Sequence, residues 1–185
     1  MKEKNTFRNS SKTALGGIVA ALSVTMMFLT AVIPTLTYAL PAAAGILLMI
    51  VVIEIDKRWA LGVYAAVSIL SVLVLPDKEA AMMYVFFFGH YPIVKALLEG
   101  KLQSRVLLWI FKFLIFNVSV VAAYMVIIYV FQLPLEDMEE FGKWGVWVLL
   151  GLGNVVFLVY DVALSRLVAL YMLKWHKAFR KILKF

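Results

Sequence analysis

Six apolar stretches, separated by short polar breaks, run through this chain at roughly Ala14–Ile33, Leu40–Ile55, Trp59–Leu75, Ala80–Leu98, Val106–Phe131 and Trp144–Tyr171. Each predicts a helix, because crossing ~30 Å of hydrocarbon takes about 20 residues at 1.5 Å of rise per residue. The second and third stretches fall short of that length, and the fifth and sixth exceed it enough to tilt. The breaks carry turn chemistry. Pro34 ends the first helix and Pro41 is placed to start the second, leaving Thr35 to Leu40 as a tight connection. Asp56-Lys57-Arg58, Pro76-Asp77-Lys78-Glu79, Glu99 to Arg105 and Gln132 to Lys143 supply the remaining turns. With no repeat of fixed period and no low-complexity linker, residues 1–185 predict one all-α polytopic membrane domain of six transmembrane helices.

Composition and charge extend this picture. A hydrophobic fraction of 64% leaves too little polar sequence to cover a soluble globule. Of the 18 Lys and Arg residues, only Lys78 and Lys143 fall in alternate loops on one side, and Glu136, Asp137, Glu139 and Glu140 join them there. Basic residues are retained on the cytoplasmic side during insertion, so both termini are expected inside a cell membrane. Residues 1–13 form a basic cytoplasmic N-terminus. Residues 174–185 form a basic amphipathic segment in which Trp175, Phe179, Ile182 and Phe185 share one face, suited to the lipid surface. The net charge of +7 sits beside apolar spans and so points to anionic headgroups, not nucleic acid. Tyr38, Tyr84, Tyr129, Trp144 and Trp147 mark the outer boundary, and Trp59, Trp109 and Trp175 the inner one. The absence of cysteine excludes thiolate catalysis and Cys-ligated metals.

Polar residues at depth are the candidate chemistry. His90, Tyr91, Asn117 and Asn154 fall near the midplane, where lipid offers no hydrogen-bond partner. Such a layer forms either a polar cavity or interhelical glue. Pro92 removes a helical donor and frees a carbonyl near Phe88, which predicts a kink in helix four. Nearer the cytoplasm, Lys95, Lys112 and Asp161 share a depth and predict a buried ion pair, with Arg166 as a competing partner. His90 and His176 are too far apart for a shared metal, the serines lack a nucleophile elbow, and no phosphate loop is present. No catalytic residue, metal site or cofactor is expected, and without a nucleotide-binding motif the chain does not hydrolyse ATP alone.

On helix one, Gly16, Gly17, Ala20 and Ala21 are small residues in pairs four apart, a flat face for another helix either within the chain or on a partner. With six helices, both termini inside and this small-xxx-small face, the chain resembles the substrate-binding S components of energy-coupling factor vitamin transporters. The likeness covers nearly its whole length. That resemblance implies that Gly16, Gly17, Ala20 and Ala21 dock a membrane scaffold subunit that carries ATPase subunits. It also implies that a small solute such as a vitamin binds near the outer ends of helices four to six, under the Thr35 to Leu40 connection. The residues placed to meet that solute are Tyr38, Tyr84, His90, Tyr91, Asn117, Trp144, Trp147 and Asn154. None of the substrate signatures of the vitamin-specific members is present. The rod-shape membrane protein of cell-wall elongation has a similar size and helix count, so a scaffold role is the competing expectation. A transport subunit needs a concave polar-aromatic pocket at the outer ends of helices four to six, which a scaffold can fill with Leu, Val and Phe.

Overall fold

The computed structural model describes residues 2–132 and 144–176, with side chains from Ser10 onward. The acidic connection from residue 133 to 143 and the amphipathic segment from 177 to 185 lie outside the described residues. Within them the chain is α-helical, with no strand. Six helices follow in order: α1 (Lys2–Phe28), α2 (Ala39–Glu54), α3 (Lys57–Val74), α4 (Lys78–Lys101), α5 (Arg105–Tyr129) and α6 (Gly145–Lys174).

Local chemistry sets the boundaries. Asp56 caps α3 by accepting the Trp59 N–H at 2.8 Å, and Asp77 caps α4 through the Ala80 N–H at 2.9 Å. Between α1 and α2 the chain tightens into two 3-10 turns, Leu29–Ala31 and Pro34–Leu36. Among the described residues five helices are long and apolar enough to cross a membrane; α2, at 16 residues, is shorter. At 1.5 Å per residue it spans about 24 Å, less than the ~30 Å of a hydrocarbon core.

The short helix is central. It packs against α1, α3, α4 and α6, and Ala44, Leu48 and Val51 are fully buried. The other buried element is α4, from Ala80 to Lys95. The longer helices turn Ile18, Leu22, Ile69, Leu73, Val118 and Val159 outward instead. A belt of this kind is unfavourable in water and suits an apolar solvent.

Midway along α4 the helix widens into a π turn, Tyr84–Phe88, closed by a Gly89 N–H to Tyr84 carbonyl bond of 2.8 Å. The straight helix resumes at Tyr91 with Pro92 in its first turn, where the missing N–H costs no helical bond. The disturbance expected near Pro92 is therefore a π turn that ends just before it. Phe88 presents its carbonyl to α2 where Gly45 has no side chain, so the two helices approach closely. A Cβ at Gly45 would meet the Phe88 carbonyl and, at 2.8 Å, the Tyr160 hydroxyl oxygen.

This contact gives a direct test. Overpacking of a tight core typically costs about 1–3 kcal/mol, whereas an Ala in a roomy helical position gains propensity over Gly. Gly45→Ala is expected to lower the thermal midpoint, and Gly17→Ala, whose Cβ meets nothing within 4 Å, to leave it level or raise it. Equal melting of the two variants in a detergent or nanodisc melt would contradict the packing described here.

Candidate functional site

Residues four apart share one side of a helix, and three such rows face each other between α4, α5 and α6. They are Phe87, Tyr91, Lys95 and Glu99 on α4; Lys112, Phe116, Val120 and Tyr124 on α5; and Gly153, Phe157 and Asp161 on α6. Read along the bundle, this column has an ionic end, an aromatic middle and an open apolar end.

At the ionic end, Lys95 Nζ lies 2.5 Å from Asp161 Oδ1 and 2.8 Å from Glu99 Oε1. Lys112 Nζ lies 2.9 Å from Asp161 Oδ2 and 2.7 Å from Glu99 Oε1. The Tyr91 hydroxyl donates to Asp161 Oδ1 at 2.6 Å. Two ammonium groups and two carboxylates thus form a neutral ring, with Lys112 also 5.1 Å from the Trp109 ring centroid. Both lysine side chains are 2% exposed and that of Asp161 is 4%, against 42% for Glu99. Desolvating either lysine alone would cost several kcal/mol, and mutual pairing offsets that cost. Every oxygen of Asp161 is engaged, including its carbonyl, which accepts from Ser165 Oγ at 3.1 Å. Chemically this is a clamp that joins three helices.

Above the clamp stands an aromatic layer. Phe87 sits within 4.9–6.0 Å of the rings of Phe88, Tyr91, Phe116, Phe157 and Tyr160, and Phe116 stacks on Phe157 at 4.8 Å. Beyond it α5 and α6 enclose a cleft of about 510 Å³ whose floor is Phe87, Phe88 and Phe116. Its walls are mainly aliphatic, Val120, Met125, Leu149 and Val156 among them, and Tyr38 and Tyr124 stand at its far end. The Tyr38 hydroxyl donates to Glu79 Oε1 at 2.6 Å and lies 3.1 Å from the Tyr124 hydroxyl. Burial, with Tyr124 and Glu79 beside it, holds the Tyr38 phenol above its ordinary range. Thr37 adds a second tie by donating to Asp77 Oδ2 at 2.9 Å, so the α1–α2 connection is bound to the start of α4.

Against protein-family models, curated proteins and solved structures, the chain has no match.

The residues singled out in the sequence divide into separate groups. Lys95, Lys112 and Asp161 come together, and Glu99, assigned in the sequence to a loop, joins them from the last turn of α4. Tyr91 belongs to this clamp. Asn117 and Asn154 form a reciprocal amide pair at 2.9 and 3.1 Å, and each also donates to the carbonyl four residues earlier, Phe113 or Leu150. That pair is interhelical glue between α5 and α6. His90 faces away from both asparagines and lies 6.1 Å from the Tyr64 ring.

Of the residues expected to meet a solute, Tyr38 lines the cleft. Tyr84, His90, Tyr91, Asn117, Trp144, Trp147 and Asn154 do not line it. Tyr84 is buried beside Tyr64, while Trp144 and Trp147 are 72% and 69% exposed. On α1 the small-residue face splits. Gly16 packs on Val63 of α3 with Ala20 half-buried, and Gly17 and Ala21 point outward. At the end of α2 the sequence reading passed over Glu54, whose buried carboxylate accepts from the Tyr171 hydroxyl at 2.7 Å and lies 2.9 Å from His176 Nδ1. Its signal was a lone acid closing an apolar run.

The clamp predicts unequal costs. Asp161→Asn leaves two buried ammonium groups sharing one half-exposed carboxylate and is expected to lose about 3–5 kcal/mol. Glu99→Gln, at the exposed corner, is expected to cost less because water can screen what remains. Chemical denaturation of both variants checks the order, and equal losses would show that Asp161 is not the keystone.

Proposed function

We propose that this chain is a membrane-embedded solute-capture subunit of the S-component type, which depends on a separate energising complex. The supporting observation is the concave cleft between α5 and α6, at the end of the column that a scaffold can fill; its lining is aliphatic and aromatic, with polarity limited to tyrosine hydroxyls, where a polar-aromatic pocket was expected. Tyr38, from the α1–α2 connection, reaches that cleft, as a cover on the solute would. Outward-facing Gly17 and Ala21 leave a flat strip on α1 on which a partner helix can lie closely.

In this proposal all six helices traverse the bilayer, α2 being short because its neighbours shield it, and both termini are cytoplasmic. The Tyr38 end then faces outward and the Glu54 end inward. Single cysteines in this Cys-free chain report the orientation. Cysteines at Thr37 and Lys78 are expected to react with an impermeant maleimide from outside, and a cysteine at Lys101 only after permeabilisation. Outside labelling at Lys101 would overturn the orientation.

The functional test is recruitment of an ATPase. The parent chain, extracted gently from its own membranes, is expected to bring down ATP-hydrolysing activity. Gly17→Leu combined with Ala21→Leu adds bulk on the outward strip, so it is expected to abolish that recruitment while the melting temperature stays within a few degrees of the parent. If the parent recruits no ATPase, the capture reading fails and a scaffold role replaces it.

A further inference from the structure

We propose that the cleft between α5 and α6 takes a neutral lipophilic molecule with one small hydroxyl-type head, and that this ligand enters sideways from the surrounding acyl chains. This deepens the capture reading and rests on it for the membrane setting. Three observations carry it.

The first is the wall chemistry. Among the described residues lining the cleft none is charged, and the surface they form is built from aliphatic and aromatic side chains. A charged or strongly hydrated solute would lose its water here and gain no ionic partner, so an apolar body is selected. The cleft's volume of about 510 Å³ lies in the range that small organic ligands fill.

The second observation is where the cleft opens. Val121, Met125, Leu152 and Val156 line it, yet they are 39–59% exposed and belong to the outward apolar belt. Its mouth is thus continuous with the face that meets lipid. A ligand dissolved among acyl chains is already beside that mouth and need not pass the Tyr38 end.

The third is the tyrosine-lined end. Among the described residues the cleft is lined by three tyrosines, Tyr38, Tyr124 and Tyr129, and the hydroxyls of the first two stand 3.1 Å apart at its far end, both directed at Glu79. A phenol hydroxyl can accept a further hydrogen bond while donating its own, so a ligand hydroxyl placed there is recognised without a buried charge.

The probe is radiolabelled farnesol, an isoprenoid alcohol, with the full chain in phospholipid nanodiscs and empty discs as the partition control. Saturable binding of one farnesol per chain above the control is expected. Val121→Trp, which places an indole in the mouth, is expected to weaken binding at least about tenfold, and Leu149→Trp gives the same test should the first variant fold poorly. Tyr124→Phe is expected to weaken farnesol binding but not that of farnesane, which lacks the hydroxyl.

Binding no greater than in empty discs would mean that only bulk lipid chains occupy the cleft, and would overturn the proposal. Binding unchanged in both Trp variants would overturn it too. ATPase recruitment without saturable farnesol binding discards the lipophilic ligand and leaves the capture reading standing. Saturable binding without recruitment keeps the lipophilic site and discards transport.

Discussion

Two buried lysines in an apolar bundle impose the constraint from which the rest of the arrangement follows. An ammonium group deprived of water must find anions nearby, and Lys95 and Lys112 find the same two, Asp161 and Glu99. Because the four groups come from α4, α5 and α6, their pairing fixes the azimuth of all three helices at one end. The reciprocal Asn117–Asn154 amides repeat the constraint one layer on, at neutral charge.

That anchoring allows the opposite end to stay open. With α5 and α6 held by the ionic and amide contacts, the aromatic stack around Phe87 closes the middle of the column, and the two helices need not pack tightly beyond it. Tyr38 and Thr37 tie the α1–α2 connection to α4, giving the open end a fixed rim. In the capture proposal the two ends divide the work, one keeping the fold and the other meeting the ligand.

Much of the helical layout was legible in the sequence, because apolar runs and their Pro, Asp and Gly punctuation act locally. Helix boundaries fall close to the predicted ones; α1 is the exception, beginning at Lys2 as continuous helix. The axial level of Lys95, Lys112 and Asp161 was legible too, which is why they could be grouped. Azimuth was harder. Successive helical residues point about 100° apart, so His90 and Tyr91 share a depth but face different neighbours, as do Gly16 and Gly17. Asn117 and Asn154 each follow a column residue, Phe116 and Gly153, by one position and so sit beside the column, not in it. Glu99 was hidden by Gly100, which suggested a loop where α4 continues, and the π turn at Tyr84–Phe88 has no pattern that hydrophobic periodicity reveals.

The central claim is that the charge ring, and not apolar packing alone, sets the spacing of α5 and α6 at one end of the bundle. Spin labels on cysteines replacing the exposed Leu107 and Leu173, near that end, measure this spacing directly by double electron–electron resonance. A second pair replacing Tyr129 and Trp147 reports the cleft end. Introducing Asp161→Asn is predicted to broaden the Leu107–Leu173 distance distribution relative to the parent. A distribution that stays as narrow as the parent's, in a variant that has lost the charge, would contradict the account.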